Sequence, residues 1–339
     1  MQTPKLEDVA RHAGVSTATV SRVLNSPLRV SERTRLKVEK SVAELGYTPN
    51  FIGRALASNR TNTIGAIIPT MENSIFAHAI QALEETLFSQ GVTLLIATSQ
   101  YSKQREEDQL RVLVSRGVDG IVLVGADRSQ NIYDLLRARA IPYVVMWMSS
   151  QDKQHVTIGF NNEVAAHSVV HRVYDAGHRR IAMLAGITEG NDRAAQRVVG
   201  ARRACQELGL PPLNVVETAY TLEAGKKAAL SLLSGPDRPT AVICGNDVIA
   251  AGTIAAAAET ELNVPRDVSV TGFDDTDLAS ILSPPLTTMR IPHLRMGRAA
   301  GEVVMSWINS GERPENIEYE TKWVERGSLA PPVNVDTVS

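Results

Sequence analysis

Arg22 carries the most directed chemistry near the start of the chain. In the segment Thr17-Ala18-Thr19-Val20-Ser21-Arg22-Val23-Leu24-Asn25, Val20, Val23 and Leu24 recur at helical spacing, which leaves Thr17, Ala18, Ser21 and Arg22 on the opposite face. A guanidinium on such a face can offer a two-pronged donor fork to the O6 and N7 of a guanine, while small neighbours let the helix approach a groove. A second candidate is the pair His167 and His171, four residues apart in a helical stretch, a spacing compatible with metal binding. No carboxylate motif accompanies the pair, so neither a metal nor a cofactor is expected. A phosphate-binding Gly-x-x-x-x-Gly-Lys, a Gly-x-Ser-x-Gly elbow and a dinucleotide fingerprint are not found in the 339 residues. An enzyme is therefore not the expected reading.

The elements that must position Arg22 are short. Leu6, Val9, Ala10 and Ala13 form one apolar helical face, Gly14 supplies the turn, and Ser16 can cap the second helix. The pattern is that of a helix-turn-helix, whose second helix lies in the major groove of DNA. A third helix follows, capped by Ser31, packed through Leu36, Val38, Val42 and Leu45, and ended by Gly46. Pro49 breaks the chain before a short helical stretch from Phe51 to Ser58.

Charge follows the same division. The chain has a net charge of −2, yet residues 1–60 hold ten Lys/Arg against five Asp/Glu, so the remainder is acidic. A basic head on an acidic body suits a polyanion partner. Cys205 and Cys244 are the two cysteines, which implies no disulfide framework and fits a reducing cytoplasm. Neither a membrane span nor a secretory signal is read, so a cytoplasmic protein is expected.

From Ile64 onward, apolar runs alternate with helical stretches. The runs are Ile64–Ile68, Thr93–Ala97, Gly120–Val124, Tyr143–Met146, Arg180–Leu184, Ala241–Cys244 and Val268–Thr271, and several helices close on a glycine, as at Gly91, Gly117, Gly177 and Gly209. Uninterrupted apolar strands between helices indicate parallel sheets covered on both faces. There are too many units for one sheet, and the stretch Val156–Asn162 lies midway. The expected fold is therefore α/β: an all-α helix-turn-helix headpiece plus a core of two doubly wound parallel-sheet lobes with a ligand cleft between them.

Motifs spread along the chain resemble the lactose-repressor (LacI/GalR) family of bacterial transcription regulators. They include Asp8-Val9-Ala10, Gly14-Val15-Ser16, Thr19 to Asn25, Leu45 to Asn50, Thr63-Ile64-Gly65 and Asn73-Ser74-Ile75-Phe76. Gly177 to Ile181, Asn246-Asp247, Val264 to Ser269, Gly272-Phe273-Asp274-Asp275, Pro285 to Thr288 and Glu325 to Ser328 continue the series in order. The resemblance implies a DNA-binding domain over 1–49, a hinge helix and linker over 50–62, and an effector-binding and dimerisation core over 63–333. Within that core it implies an N-lobe of about 63–160 plus 292–321 and a C-lobe of about 161–291 plus 322–333, resembling periplasmic sugar-binding proteins.

By the same resemblance, Thr17, Ala18 and Arg22 read bases, and Thr19, Ser21 and Asn25 position the backbone. Arg54 meets phosphate, and Leu56 wedges into the minor groove or packs against its dimer mate. The implied partner is a pseudo-palindromic operator bound by a homodimer. Pro332 to Ser339 carry no apolar heptad tail, so no larger assembly is expected. Phe76, Trp147, Asn161, Arg197, Tyr220, Asn246 and Asp274 are the implied effector contacts. Aromatic rings could stack on a sugar, Asn246 and Asp274 could exchange hydrogen bonds with hydroxyls, and Arg197 could meet a carboxylate, phosphate or hydroxyl pair. Asn161 stands where many relatives have aspartate, and Trp147 could either stack on a ligand or fill the lobe interface. The expected function is a ligand-responsive transcriptional regulator, read as a repressor, that senses a small sugar or sugar acid. The alternative is a solute-binding protein or an α/β enzyme with a fused DNA-binding head.

Overall fold

The computed structural model describes residues 4–25, 29–48, 60–150, 154–235 and 237–333. Arg54, Leu56 and the rest of the proposed hinge over 50–59, together with the side chain of Asn25, lie outside the described residues. The chain forms two compact units, one up to Asn62 and one from Thr63.

The first unit contains α1 (Leu6–Ala13), α2 (Thr17–Asn25) and α3 (Glu32–Leu45). Val9, Ala10, Ala13, Val20, Val23, Val38 and Tyr47 form its core, with Leu6, Leu24, Val42 and Leu45 packed against it. Gly14 adopts a left-handed conformation with φ 59°, so the chain can leave α1 and start α2 within three residues. The Ser16 hydroxyl accepts from the Thr19 N–H at 3.2 Å, which caps α2 as the sequence predicts.

Two expectations for α3 need correction. Ser31 stands at the N-cap, but its hydroxyl pairs with that of Thr34 at 2.9 Å instead of with a backbone N–H. Leu36 is 54% exposed. The inward stripe runs Val38, Ser41, Val42, Leu45, and Leu36 lies two residues before it, on the far side of a 3.6-residue period. Ser41 completes the buried face beside Val38, its hydroxyl satisfied by the Lys37 carbonyl at 3.0 Å.

In the second unit, β1 (Thr63–Ile68), α4 (Ser74–Phe88), β2 (Thr93–Thr98), α5 (Lys103–Ser115), β3 (Gly120–Val124), α6 (Gln130–Ala138), β4 (Tyr143–Met146) and β5 (Val156–Gly159) build one sheet. The chain then runs through α7 (Asn162–Asp175), β6 (Ile181–Gly186), α8 (Asp192–Glu207), β7 (Asn214–Thr218), α9 (Leu222–Leu233), β8 (Ala241–Cys244), α10 (Asp247–Glu259), β9 (Ser269–Asp274), α11 (Asp277–Ile281) and β10 (Thr287–Arg290). It returns through α12 (His293–Ser310) and β11 (Ile317–Glu318) to the first sheet, and ends in the second with β12 (Lys322–Val324).

The sheet orders are β11-β5-β4-β3-β1-β2 and β12-β10-β9-β8-β6-β7. Strand for strand these are the same doubly wound arrangement used twice. The difference lies at one edge: β11 runs parallel to β5, whereas β12 runs antiparallel to β10. The central strands β1, β3, β4, β8 and β9 are buried along their whole length, as apolar strands covered by helices on both faces must be.

Helices pack in pairs at close range. A Cβ built on Gly200 of α8 would overlap the Glu163 carbonyl oxygen of α7, and one on Gly297 of α12 would overlap the Ala79 carbonyl oxygen of α4. At both places backbone replaces side chain as the packing surface.

Buried Asp247 ties three segments of the second sheet together. Its Oδ1 accepts from the Thr288 hydroxyl at 2.6 Å, and its Oδ2 accepts from the Thr276 N–H at 2.6 Å and hydroxyl at 3.0 Å. Burial outweighs these three hydrogen bonds and pushes the carboxyl up to about 6.

These features predict two outcomes. Gly200→Ala and Gly297→Ala should each cost about 1–3 kcal/mol, because helix backbones must part to admit a methyl group. Gly235→Ala, with open space around it, should stay within about 0.5 kcal/mol of the parent. Urea midpoints measure all three, and equal midpoints would remove the close-packing argument. Asp247 takes up a proton on folding, so its contribution is fully present below its ordinary value of 3.8 and is lost as pH rises through about 6. Relative to Asp247→Asn, the parent should lose up to about 3 kcal/mol between about pH 4 and pH 6, and a constant difference across that window would contradict the assignment.

Candidate functional site

Thr17, Ala18 and Arg22 are exposed on α2, with Ala18 and Arg22 one turn apart, while Thr19 and Ser21 are half-buried. Thr19 is held by its hydroxyl, 2.9 Å from that of Ser16, at the start of the helix. The structure therefore gives α2 an outer face with one long cation and two short side chains. Its inner face is fixed by Val20 and Val23, both in the headpiece core.

The second candidate site lies where the two sheets of the core point their carboxyl ends. A cavity of about 310 Å³, counted out to open solvent, is lined by Asn73, Ile75, Phe76, Tyr101, Trp147, Asn191, Arg193, Arg197, Tyr220, Asn246 and Asp274. Five of them sit at or just beyond a strand end, Tyr101 after β2, Trp147 after β4, Tyr220 after β7, Asn246 after β8 and Asp274 at the end of β9, whereas Ile75 and Phe76 belong to α4 and Arg193 and Arg197 to α8. This is the edge where doubly wound sheets bind ligands, because the strand ends leave room between outgoing connections.

Six of the seven residues expected at an effector site line this cavity. Asn161 does not. Its side chain folds back to accept from the Val164 N–H at 3.0 Å as the cap of α7, and it lines a separate groove with Phe160, Ser168 and Glu318. The buried amide near the cavity is that of Asn162. It donates to the Trp147 carbonyl at 2.8 Å and accepts from Arg197 Nε at 2.9 Å.

Aromatic rings form two walls. Phe76 and Trp147 pack with centroids 4.9 Å apart, and Tyr101 and Tyr220 meet across the two lobes at 5.7 Å. Burial raises the Tyr101 hydroxyl above the ordinary tyrosine range, with Tyr220 adding to the effect, so it remains a proton donor. Trp147 is 1% exposed and adopts φ 65°, a left-handed conformation that is costly for a side chain of its size.

Arg197 supplies the charge. It is buried, donates through Nη1 to the Gly245 carbonyl at 2.7 Å, and lies 3.9 Å over the Phe273 ring. Asp274 is buried beside it, and desolvation raises its carboxyl well above the usual carboxylate range although the Arg197 charge opposes that shift. Three buried polar atoms on cavity residues have no hydrogen-bond partner: Trp147 Nε1, Asn246 Nδ2 and Asp274 Oδ1. Buried polar groups are ordinarily satisfied, so two donors and one oxygen gathered at a single cavity mark a place prepared for a polar ligand.

Contacts across the lobes close one side of the cavity. Asp192 Oδ2 accepts from the Ala126 N–H at 2.6 Å, and Arg193 Nη1 donates to the Val124 carbonyl at 3.3 Å and to Asp192 Oδ1 at 2.8 Å. Tyr101 and Asn191 are cavity residues that the sequence reading passes over. Each comes shortly after an apolar strand run, the one signal that could have found them.

Two family models match the chain: bacterial regulatory proteins, lacI family, over residues 5–50, and periplasmic binding protein-like domain over residues 170–329. The HTH-type transcriptional repressor PurR of Photobacterium profundum is 35% identical over 328 residues, 96% of this chain and 98% of its own length. The solved structure of the Lac repressor dimer bound to operator and the anti-inducer ONPF superposes with a TM-score of 0.86 at 26% identity, covering 97% of this chain and 100% of that one. The complex of the transcriptional regulator CelR with cellobiose gives 0.72 at 27% identity, covering 96% and 99%. A helix-turn-helix ahead of two like α/β lobes, matched over nearly its full length by these proteins, places the chain in the LacI family of bacterial regulatory proteins.

Proposed function

We propose that the chain is a ligand-responsive transcriptional repressor of the bacterial cytoplasm and not an enzyme. In this reading it binds a pseudo-palindromic operator as a homodimer, with residues 1–49 as the DNA-binding domain, 50–62 as hinge and 63–333 as the effector-binding core. Arg22 reads a base through its guanidinium, and Thr17 and Ala18 make short contacts beside it. Thr19, Ser21, Asn25 and Arg54 position the backbone, and Leu56 enters the minor groove. The exposed face of α2 and the repressor relative support the DNA-binding role.

The effector is a sugar or sugar acid. The observation that carries this reading is the set of unpartnered polar atoms on Trp147, Asn246 and Asp274 between aromatic walls. Hydroxyl groups can use such atoms, and rings can stack on the apolar face of a pyranose or furanose. The cellobiose bound by CelR is a precedent of that chemistry. Arg197 adds a preference for an anionic group, because its guanidinium lines the cavity. Phe76 and Tyr220 supply stacking surface. Asn161 caps α7 and would act on the effector only through its neighbour Asn162. Effector binding would change how the two lobes sit on one another, thus the spacing of paired hinges, and so operator affinity.

Three measurements test the reading. Arg22→Ala should lose roughly 1–3 kcal/mol of discrimination at one base position of each half-site in operators selected from random DNA, and an unchanged preference would remove its base-reading role. Deleting residues 1–60 should abolish the gel shift altogether. A thermal-shift panel of sugars, sugar acids, sugar phosphates and purines should show stabilisation by a member of the first two classes. Arg197→Gln and Asp274→Asn should each weaken it by about tenfold or more, as expected for a lost charged hydrogen bond. Stabilisation by a purine alone would sink the sugar assignment while leaving the DNA-binding assignment intact.

A further inference from the structure

Away from the cavity, α7 and α8 bring together a different set of ligating groups. His167 and His171 lie one helical turn apart on the same face of α7, and Glu207 is the last residue of α8, packed alongside. One ligand atom from each of the three lies within 4.8 Å of the others, the one such trio among the described residues. His167 Nε2 is 2.6 Å from Glu207 Oε2, and His171 Nε2 is 4.0 Å from that same oxygen. The two imidazoles face one another at 4.6 Å.

Two further features separate this trio from an ordinary surface ion pair. His171 Nε2 is buried and has no hydrogen-bond partner, although an imidazole nitrogen so placed is normally satisfied. Arg203, on the same helix as Glu207, holds the other carboxylate oxygen, with Nε 3.4 Å from Oε1. It thereby turns Oε2 toward the imidazoles, as groups outside the ligand shell do in metal sites. Arg203 also pairs with Glu163 of α7, so its own position is fixed from two sides.

We propose that His167, His171 and Glu207 form a site for a divalent transition metal of the zinc class, with a fourth position open to water. Two imidazole nitrogens and one carboxylate oxygen are borderline ligands that suit zinc, and copper or nickel would compete for the same set. Metal–ligand bonds of about 2.0–2.2 Å place the ligand atoms of a tetrahedron about 3.4 Å apart. The present separations of 2.6 and 4.0 Å bracket that value, so small side-chain rotations convert the hydrogen-bonded trio into a coordinated one. The sequence shows the two histidines but hides the carboxylate, which arrives from another helix. A bound ion would staple α7 to α8, the helices that also carry Asn162 and Arg197.

The test uses the full chain, stripped with a chelator and titrated with zinc chloride by calorimetry, with cobalt(II) absorption as the readout of geometry. The expected result is one ion per chain, a tetrahedral cobalt spectrum and a rise in the unfolding temperature with zinc. His167→Ala, His171→Ala and Glu207→Gln should each weaken binding by about tenfold or more, and the double histidine variant should lose the cobalt spectrum. Arg203→Ala should retain the stoichiometry and weaken affinity less than loss of a ligand. Circular dichroism shows whether each variant is folded. The proposal is overturned if zinc fails to bind up to about 100 µM, a concentration at which a three-ligand site is filled, or if the double variant binds it as the parent does.

Discussion

The buried guanidinium of Arg197 organises one side of the cavity. Moving the Arg197 charge out of water is expensive, and the cost is tolerable only where hydrogen bonds and an opposing polar group surround it. The Asn162 side chain, the Gly245 carbonyl, the Phe273 ring and the Asp274 carboxyl meet that requirement. They come from three places in the chain, Phe273 and Asp274 both lying on β9, so satisfying one cation fixes the start of α7, the end of β8 and the end of β9 against α8. Asn162 passes the constraint on to the Trp147 carbonyl in the other lobe. Much of the cavity's polar floor thus follows from burying Arg197, beside the second buried arginine, Arg193.

The rim of the same cavity stores backbone strain. Tyr101 (φ 58°), Trp147 (φ 65°) and Asp274 (φ 112°) are non-glycine residues with positive φ, all at strand ends. Such conformations cost on the order of 1–3 kcal/mol each and persist where the surroundings over-determine them. Here the surroundings are identifiable: Phe76 packed on Trp147, Tyr220 against Tyr101, and Asp247 holding the turn that follows Asp274. The strained backbone aims a ring or a carboxyl into the cavity where an ordinary extended residue would carry it along the strand.

Much of the scaffold was legible because two strong signals mark it. Fully buried strands read as apolar runs, and Gly91, Gly117, Gly177 and Gly209 end their helices with positive φ as their placement suggests. What escaped has a physical reason in each case. Strand β10 begins Thr287-Thr288, whose hydroxyls are buried because Arg326 N–H and Asp247 satisfy them, a pairing invisible along the chain. Strand β7 lies at a sheet edge and is only half-buried, so its pattern is broken. The cavity residues were reached through motif position rather than periodicity, and that route could not separate Asn161 from Asn162. Only the local cap decides which of two adjacent amides turns outward.

The chain crosses between the two sheets three times, after β5, after β10 and after β11. Three neighbouring connections restrict two lobes to hinge-like motion far more than one connection would, since each strand of backbone removes freedom to twist. The first crossing leads directly into Asn162, and the second follows Arg290, whose Nε donates to Asp275 at 2.5 Å beside the strained Asp274. A ligand that recruits Asp274 or Arg197 would therefore act on the segments about which the lobes turn, with no relay through distant packing. On the opposite side, Asp192 and Arg193 hold the loop after β3. In the proposed reading, ligand contacts and hinge would thus share residues, the condition under which a small molecule with different contacts in two states can shift the balance between them.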